Sequence, residues 1–128
     1  MLYNFYNYLK KVDLNILYYE AKGGKMLNQV VLVGRLVKDI DILNTKEGKA
    51  FSNIVLAIPR SFKNSEGEYE TDFVRCTLWD KLATNAKEFC GKGQILGIKG
   101  KLQTNKVDDK YYIEVIAEKV SYLSSKKQ

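Results

Sequence analysis

At 128 residues the chain is long enough for one ordinary domain with a modest core and too short for two. Apolar residues make up 45% and charged residues 28%, the balance of a soluble globular protein, and the net charge of +6 comes from 21 basic and 15 acidic residues. The chain lacks histidine, the commonest general base and metal ligand; its two cysteines, Cys76 and Cys90, form no CxxC pair; and no apolar run approaches the ~20 residues of a membrane span.

In chain order, residues 1–25 come first, MLYNFYNYLKKVDLNILYYEAKGGK. Leu2, Phe5, Tyr6, Leu9, Val12, Ile16 and Tyr19 fall at roughly helical spacing, so one expectation is an amphipathic helix ending near Gly23 and Gly24. Lys10, Lys11 and Asp13 interrupt it, which argues against a secretory signal. The other expectation is a translated leader. KGGKM can be encoded as AAA-GGA-GGT-AAA-ATG, a purine-rich ribosome-binding sequence just before an ATG at Met26. Either way the expected boundaries are an N-terminal extension over 1–25, a domain over 26–123 and a short polar tail over 124–128.

From Asn28 the pattern turns to strands. QVVLVGRLV sets Val30, Leu32, Gly34 and Leu36 on one face and Val31, Val33, Arg35 and Val37 on the other. Both faces are largely apolar, so this strand is expected to be buried on both sides or covered by another subunit. Gly34 marks a bulge or sharp bend. FSNIVLAI is a second strand ended by Pro59, KNSEGEYE a hairpin loop centred on Gly67, and DFVRCTLW a third strand. The period then becomes helical over DKLATNAKEFCGKG, with Asp80 as expected N-cap and Gly91 as the residue after the helix. QILGIKGKLQT is a fourth strand, NKVDDK a hairpin loop and YYIEVIAEKVSYL a fifth strand. The order β-β-β-α-β-β, with the helix between strands three and four, favours an all-β OB-fold, a five-stranded Greek-key barrel, over a sandwich.

One strand carries an unusual face. Phe73, Arg75, Thr77 and Trp79 alternate on it, opposite an ordinary core set of Val74, Cys76 and Leu78. Two rings flanking a guanidinium suit a nucleic-acid strand: bases stack on the rings and the cation meets phosphate. Trp79 alone would better suit a barrel cap against the helix, but Arg75 sits between the rings and buried arginine is rare, so the alternating set points to binding. Phe62, in PRSFKNSEGEYE, is either a packing residue at the hairpin base or another platform. Arg35, Lys81, Lys92, Lys99, Lys101, Lys106 and Lys110 are individually ordinary surface cations and collectively a track for a phosphate backbone. No constellation for catalysis, a metal or a cofactor is present.

From Met26 to about Leu123 the chain resembles the bacterial and phage single-stranded DNA-binding proteins. The resemblance is carried by MLNQVVLVGRL, FSNIVLA, DFVRCTLWDKLA and KGQILGIKGKLQT. It implies an OB-fold, a homotetramer (or a dimer), and sequence-tolerant binding and protection of single-stranded DNA in replication, repair and recombination, in the cytoplasm with the nucleoid. It assigns base stacking to Phe62, Phe73 and Trp79, and basic contacts to Arg75 with Lys81, Lys92 and Lys106. There are departures. Asp39-Ile40 stands where the family has Asp-Pro. Val107 lies where members often carry a further aromatic, with Tyr111 and Tyr112 as candidate substitutes. The chain ends in SSKKQ rather than a long linker and acidic tip, which puts enzyme recruitment in doubt. A competing reading is a primosome-type OB-fold module that joins proteins and binds nucleic acid weakly. RNA competes with DNA as the strand, because stacking does not read the sugar.

Overall fold

The computed structural model describes residues 26–124 together with Gly23. The expected helix or leader over 1–25 and the end of the polar tail lie outside the described residues. Six strands and one helix follow in order: β1 Val30–Leu36, β2 Leu43–Asn44, β3 Ala50–Lys63, β4 Tyr69–Trp79, α1 Lys81–Phe89, β5 Ile95–Val107 and β6 Lys110–Tyr122. The short β2 is an addition to the five expected strands. It flanks β3, outside the ring.

The ring closes through β1-β5-β6-β4-β3 and back to β1. It is antiparallel except where β4 meets β6 in parallel, at Cys76 beside Val115 and Thr77 beside Ile116. This is the OB-fold barrel. Its closure depends on β1, which pairs with β5 from Val30 to Arg35 and with β3 at Arg35 and Leu36. Gly34 sits at that exchange of partners. A Cβ there would come within 2.7 Å of Ile58 Cγ1 and 3.0 Å of the Ala57 carbonyl, so the close approach of β3 requires glycine.

Alternation fills the barrel. Leu36, Ile54, Leu56, Cys76, Leu78, Leu96 and Ile98 are buried, and Ala83 and Ala86 of α1 join the same core. The helix ends differ from expectation. Asp80 has φ 54° and makes no side-chain cap; its carbonyl accepts from the Ala83 and Thr84 amides instead. At the other end Cys90 is extended, and the left-handed glycine is Gly93 rather than Gly91. The NKVDDK segment is also mostly strand. Asn105, Lys106 and Val107 pair with Tyr112, Tyr111 and Lys110, leaving Asp108 and Asp109 as a two-residue turn at φ 49° and 63°. Only the inner side of β1 is buried; Val31 and Val33 on its outer side are 69% and 53% exposed.

Candidate nucleic-acid interface

The register of β3 against β4 builds a surface. Phe51 stands opposite Trp79, Asn53 opposite Thr77, Val55 opposite Arg75 and Ala57 opposite Phe73. Residues directly opposed in antiparallel strands project to the same side, so these eight share the outer face. The small Ala57 leaves the Phe73 ring free, 68% exposed. Trp79 is half-buried. Phe51 lies at 5.1 Å between ring centroids, tilted by 35°, and Lys49 Nζ sits 4.8 Å from the Trp79 ring centre. Lys49 also lies 3.8 Å from the Asp80 carboxylate. Trp79 therefore packs on Phe51 and belongs to the outer face of β4.

Thr77 departs from its neighbours. It is only 3% exposed, with Oγ1 3.0 Å from both Asn53 Oδ1 and Glu114 Oε2. Glu114 Oε1 accepts from Asn105 Nδ2 at 2.5 Å. This network ties β3, β4, β5 and β6 together under the face. Beside it lies a groove of about 370 Å³ lined by Arg75, Asn105, Val107, Tyr112, Ile113 and Glu114.

Phe62 is 66% exposed on the arm formed by the ends of β3 and β4. The register shifts between Pro59 and Lys63, so Arg60, Ser61 and Phe62 together face a single residue of β4. Alternation therefore does not put Phe62 on the Phe73 row. The arm is braced by Arg60, which donates from Nη2 to Asp72 at 2.9 Å and from Nη1 to Glu70 at 2.6 Å. Those hydrogen bonds, with the paired charges, hold the Asp72 carboxyl below its usual range and raise the guanidinium.

The expected cations separate. Arg75 is exposed at the groove. Lys101 pairs with Ile116, which is level with Thr77, so it borders the same face. Arg35 lies in one row with Ala57 and Phe73, but its guanidinium donates to the Gly93 carbonyl at 2.5 Å. Lys99 stands opposite Val31, beside the exposed valines. Lys106 is on the reverse side of the β5–β6 hairpin, 5.8 Å over the Tyr111 ring and 3.6 Å from Asp109. Lys81 opens α1, exposed. Lys92 follows it in a loop pinned by its amide to Asp39 Oδ1 at 2.8 Å.

Sequence reasoning missed Phe51, Lys49 and Glu114. The alternation of Phe51, Asn53, Val55 and Ala57 was a readable signal for the first. Glu114 had none, because its partners come from strands far away in sequence. Among the described residues no group of His, Cys, Asp and Glu could hold a metal ion, and no helix is long and apolar enough to cross a membrane.

Residues 27–123 match the family described as the single-strand binding protein family. The chain is 44% identical over 106 residues to single-stranded DNA-binding protein B of Bacillus subtilis (strain 168), covering 79% of this chain and 94% of that one. It is 44% identical over 103 residues to single-stranded DNA-binding protein 2 of Listeria innocua, covering 77% of this chain and 65% of that one. The fold is similar to a deletion mutant of the single-stranded DNA binding protein from Thermus aquaticus, with a TM-score of 0.64 at 28% identity, over 77% of this chain and 51% of that one. The chain thus spans nearly all of the Bacillus relative and only part of the other two.

Proposed function

The chain belongs to the single-strand binding protein family, and on that premise we propose that its outer β3–β4 face binds single-stranded DNA without catalysis, protecting it during replication, repair and recombination. The observation that carries the reading is the row of Phe73, Arg75 and Trp79, two rings flanking an exposed guanidinium on one rigid strand. Bases stack on Phe73 and Trp79, with Phe62 reaching in from the arm, while Arg75 and Lys101 meet phosphates. Lys81, Lys92 and Lys106 lie further out and contribute to the general positive field. Arg35, held on a carbonyl, and Lys99, beside the valines, take the smallest part. The domain is residues 26–123, acting in the cytoplasm with the nucleoid. The exposed Val31 and Val33 favour assembly with further copies, a tetramer as in the family. Nothing on this face favours the primosome-type joining module.

Trp79 is the only tryptophan, so its fluorescence reports on the site directly. Titration with oligo-dT should quench it strongly, and added salt should weaken binding through counterion release. The Phe73→Ala/Trp79→Ala double variant should bind about tenfold more weakly or worse, each stack being worth about 1–3 kcal/mol. A folded double variant with unchanged affinity would sink the site. Competition between matched DNA and RNA strands decides which sugar is preferred.

A further inference from the structure

Lys49 stands at the end of the stacking row with a charge that the phosphate contacts above leave unused. Its ammonium lies 4.8 Å from the centre of the Trp79 ring and 3.8 Å from the Asp80 carboxylate. The Phe51 ring is on the same indole, with 5.1 Å between centroids. The main chain sets these positions. In the turn between β2 and β3, the Lys49 amide donates to Thr45 Oγ1 at 3.0 Å, and its carbonyl accepts from the Thr45 amide at 2.9 Å. The Asp80 amide donates to the Ala50 carbonyl at 2.8 Å. Lys49 and Asp80 are therefore anchored near each other by their backbones, and their exposed side chains remain free to rearrange.

Asp80 is in an unusual state for its position. Its φ of 54° lies in the region that side-chain-bearing residues rarely adopt, yet it forms no side-chain cap on the helix. Residues held in this way cluster where a site uses them. What the side chain does make is the ion pair with Lys49. A base stacking on Trp79 needs an open ring face. Phe51 is held in the β3–β4 ladder opposite Trp79, so the contact that yields is Lys49 on its flexible four-carbon stem. The paired side chains are 55% and 58% exposed, and an ion pair so exposed is weak, so a phosphate competes with it readily. A DNA strand brings a phosphate beside every base. The ligand that displaces the ammonium thus supplies the anion that receives it.

We propose that Lys49 is a further strand-binding residue that works by exchange. In the free protein Asp80 holds it over the Trp79 ring. When a base stacks there, the ammonium leaves the ring and the carboxylate for the adjoining phosphate. Asp80 is the positioning residue: it keeps the indole covered until a strand arrives, and it disfavours ligands that bring a ring without a phosphate. This inference rests on the single-stranded DNA reading above.

The test titrates the full chain with labelled oligo-dT by fluorescence anisotropy over a range of salt concentrations. Each phosphate contact on a single strand contributes about 0.7 to the fall of log affinity with log salt. Lys49→Met keeps the stem and removes the charge. It should make that slope shallower by about 0.7 and weaken binding about threefold near 50 mM salt, with the gap closing as salt rises. Lys46→Met, at an exposed cation of the same turn, should change the slope by less than about half as much. Asp80→Asn should tighten binding about threefold by releasing Lys49, and the gain should disappear when Lys49→Met is added. A Lys49→Met slope equal to the wild type, a Lys46→Met change as large, or an Asp80→Asn gain that survives in the double variant would each overturn the exchange. Tight binding of oligo-dT with none of these differences defeats the exchange alone. A wild-type chain that does not bind oligo-dT at any salt concentration defeats the broader reading.

Discussion

Phe73 and Trp79 are both aromatic members of one row, yet they are tied to the fold differently. Phe73 projects beside Ala57 and is mostly exposed, so Phe73→Ala should weaken binding while leaving stability within about 0.5 kcal/mol. Trp79 packs on Phe51, so Trp79→Ala should weaken binding and also cost about 1–3 kcal/mol of stability. Thermal melts read beside DNA titrations separate the two. In the core beneath, burial pushes the Cys76 thiol up to about 11 from an ordinary 9.0. A raised folded value means the contribution is complete below pH 9.0 and is lost as pH rises towards 11, so unfolding midpoints should fall across that window and Cys76→Ala should flatten the fall. The alternation that exposes Phe73 and buries Cys76 is legible in DFVRCTLW. The burial of Thr77 is not, because the carboxylate that covers it comes from β6, 37 residues on.

Among the elements, β5 shows how one position governs a strand. Its register against β6 shifts between Lys99 and Gly100, and a Cβ at Gly100 would run into the Ile116 carbonyl. Backbone cannot move aside as a side-chain tip can, so Gly100→Ala should destabilise by about 2–3 kcal/mol in denaturant titration, well beyond a surface glycine replacement. The extra residue of that shift is Glu118 on β6, so Lys99 stands opposite Lys119 and Lys101 opposite Ile116. Strand five and the helix were legible from period and punctuation. The β5–β6 turn was less so: Asn105 and Lys106 read as loop by composition, but cross-strand pairing with two tyrosines draws them into the ladder. Helix capping was misread for a related reason. Asp80 has the right side chain, but its positive φ turns it towards Lys49.

For the whole molecule, the sequence pattern of β1 implied two covered sides, and one copy covers one. If further copies cover Val31 and Val33, light scattering should report a multimer, and Val31→Glu should lower the measured mass without unfolding the barrel. A monomeric wild-type chain would remove the assembly reading. The barrel is also uneven in its own closure. β5 and β6 share a long ladder, whereas β4 and β6 meet at two residue pairs, Cys76 with Val115 and Thr77 with Ile116. That narrow join lies directly between the row on β4 and the groove on β6. A bound strand touching both sides acts as an external clasp across one of the two narrow joins of the ring, the other being that of β1 with β3. Ligand occupancy and barrel closure are then thermodynamically linked, and saturating DNA raises the free energy of opening by mass action. Amide hydrogen exchange at Cys76, Thr77, Val115 and Ile116 should slow more on binding than exchange in the β5–β6 ladder, so the protein that guards an unpaired strand is itself held shut by it.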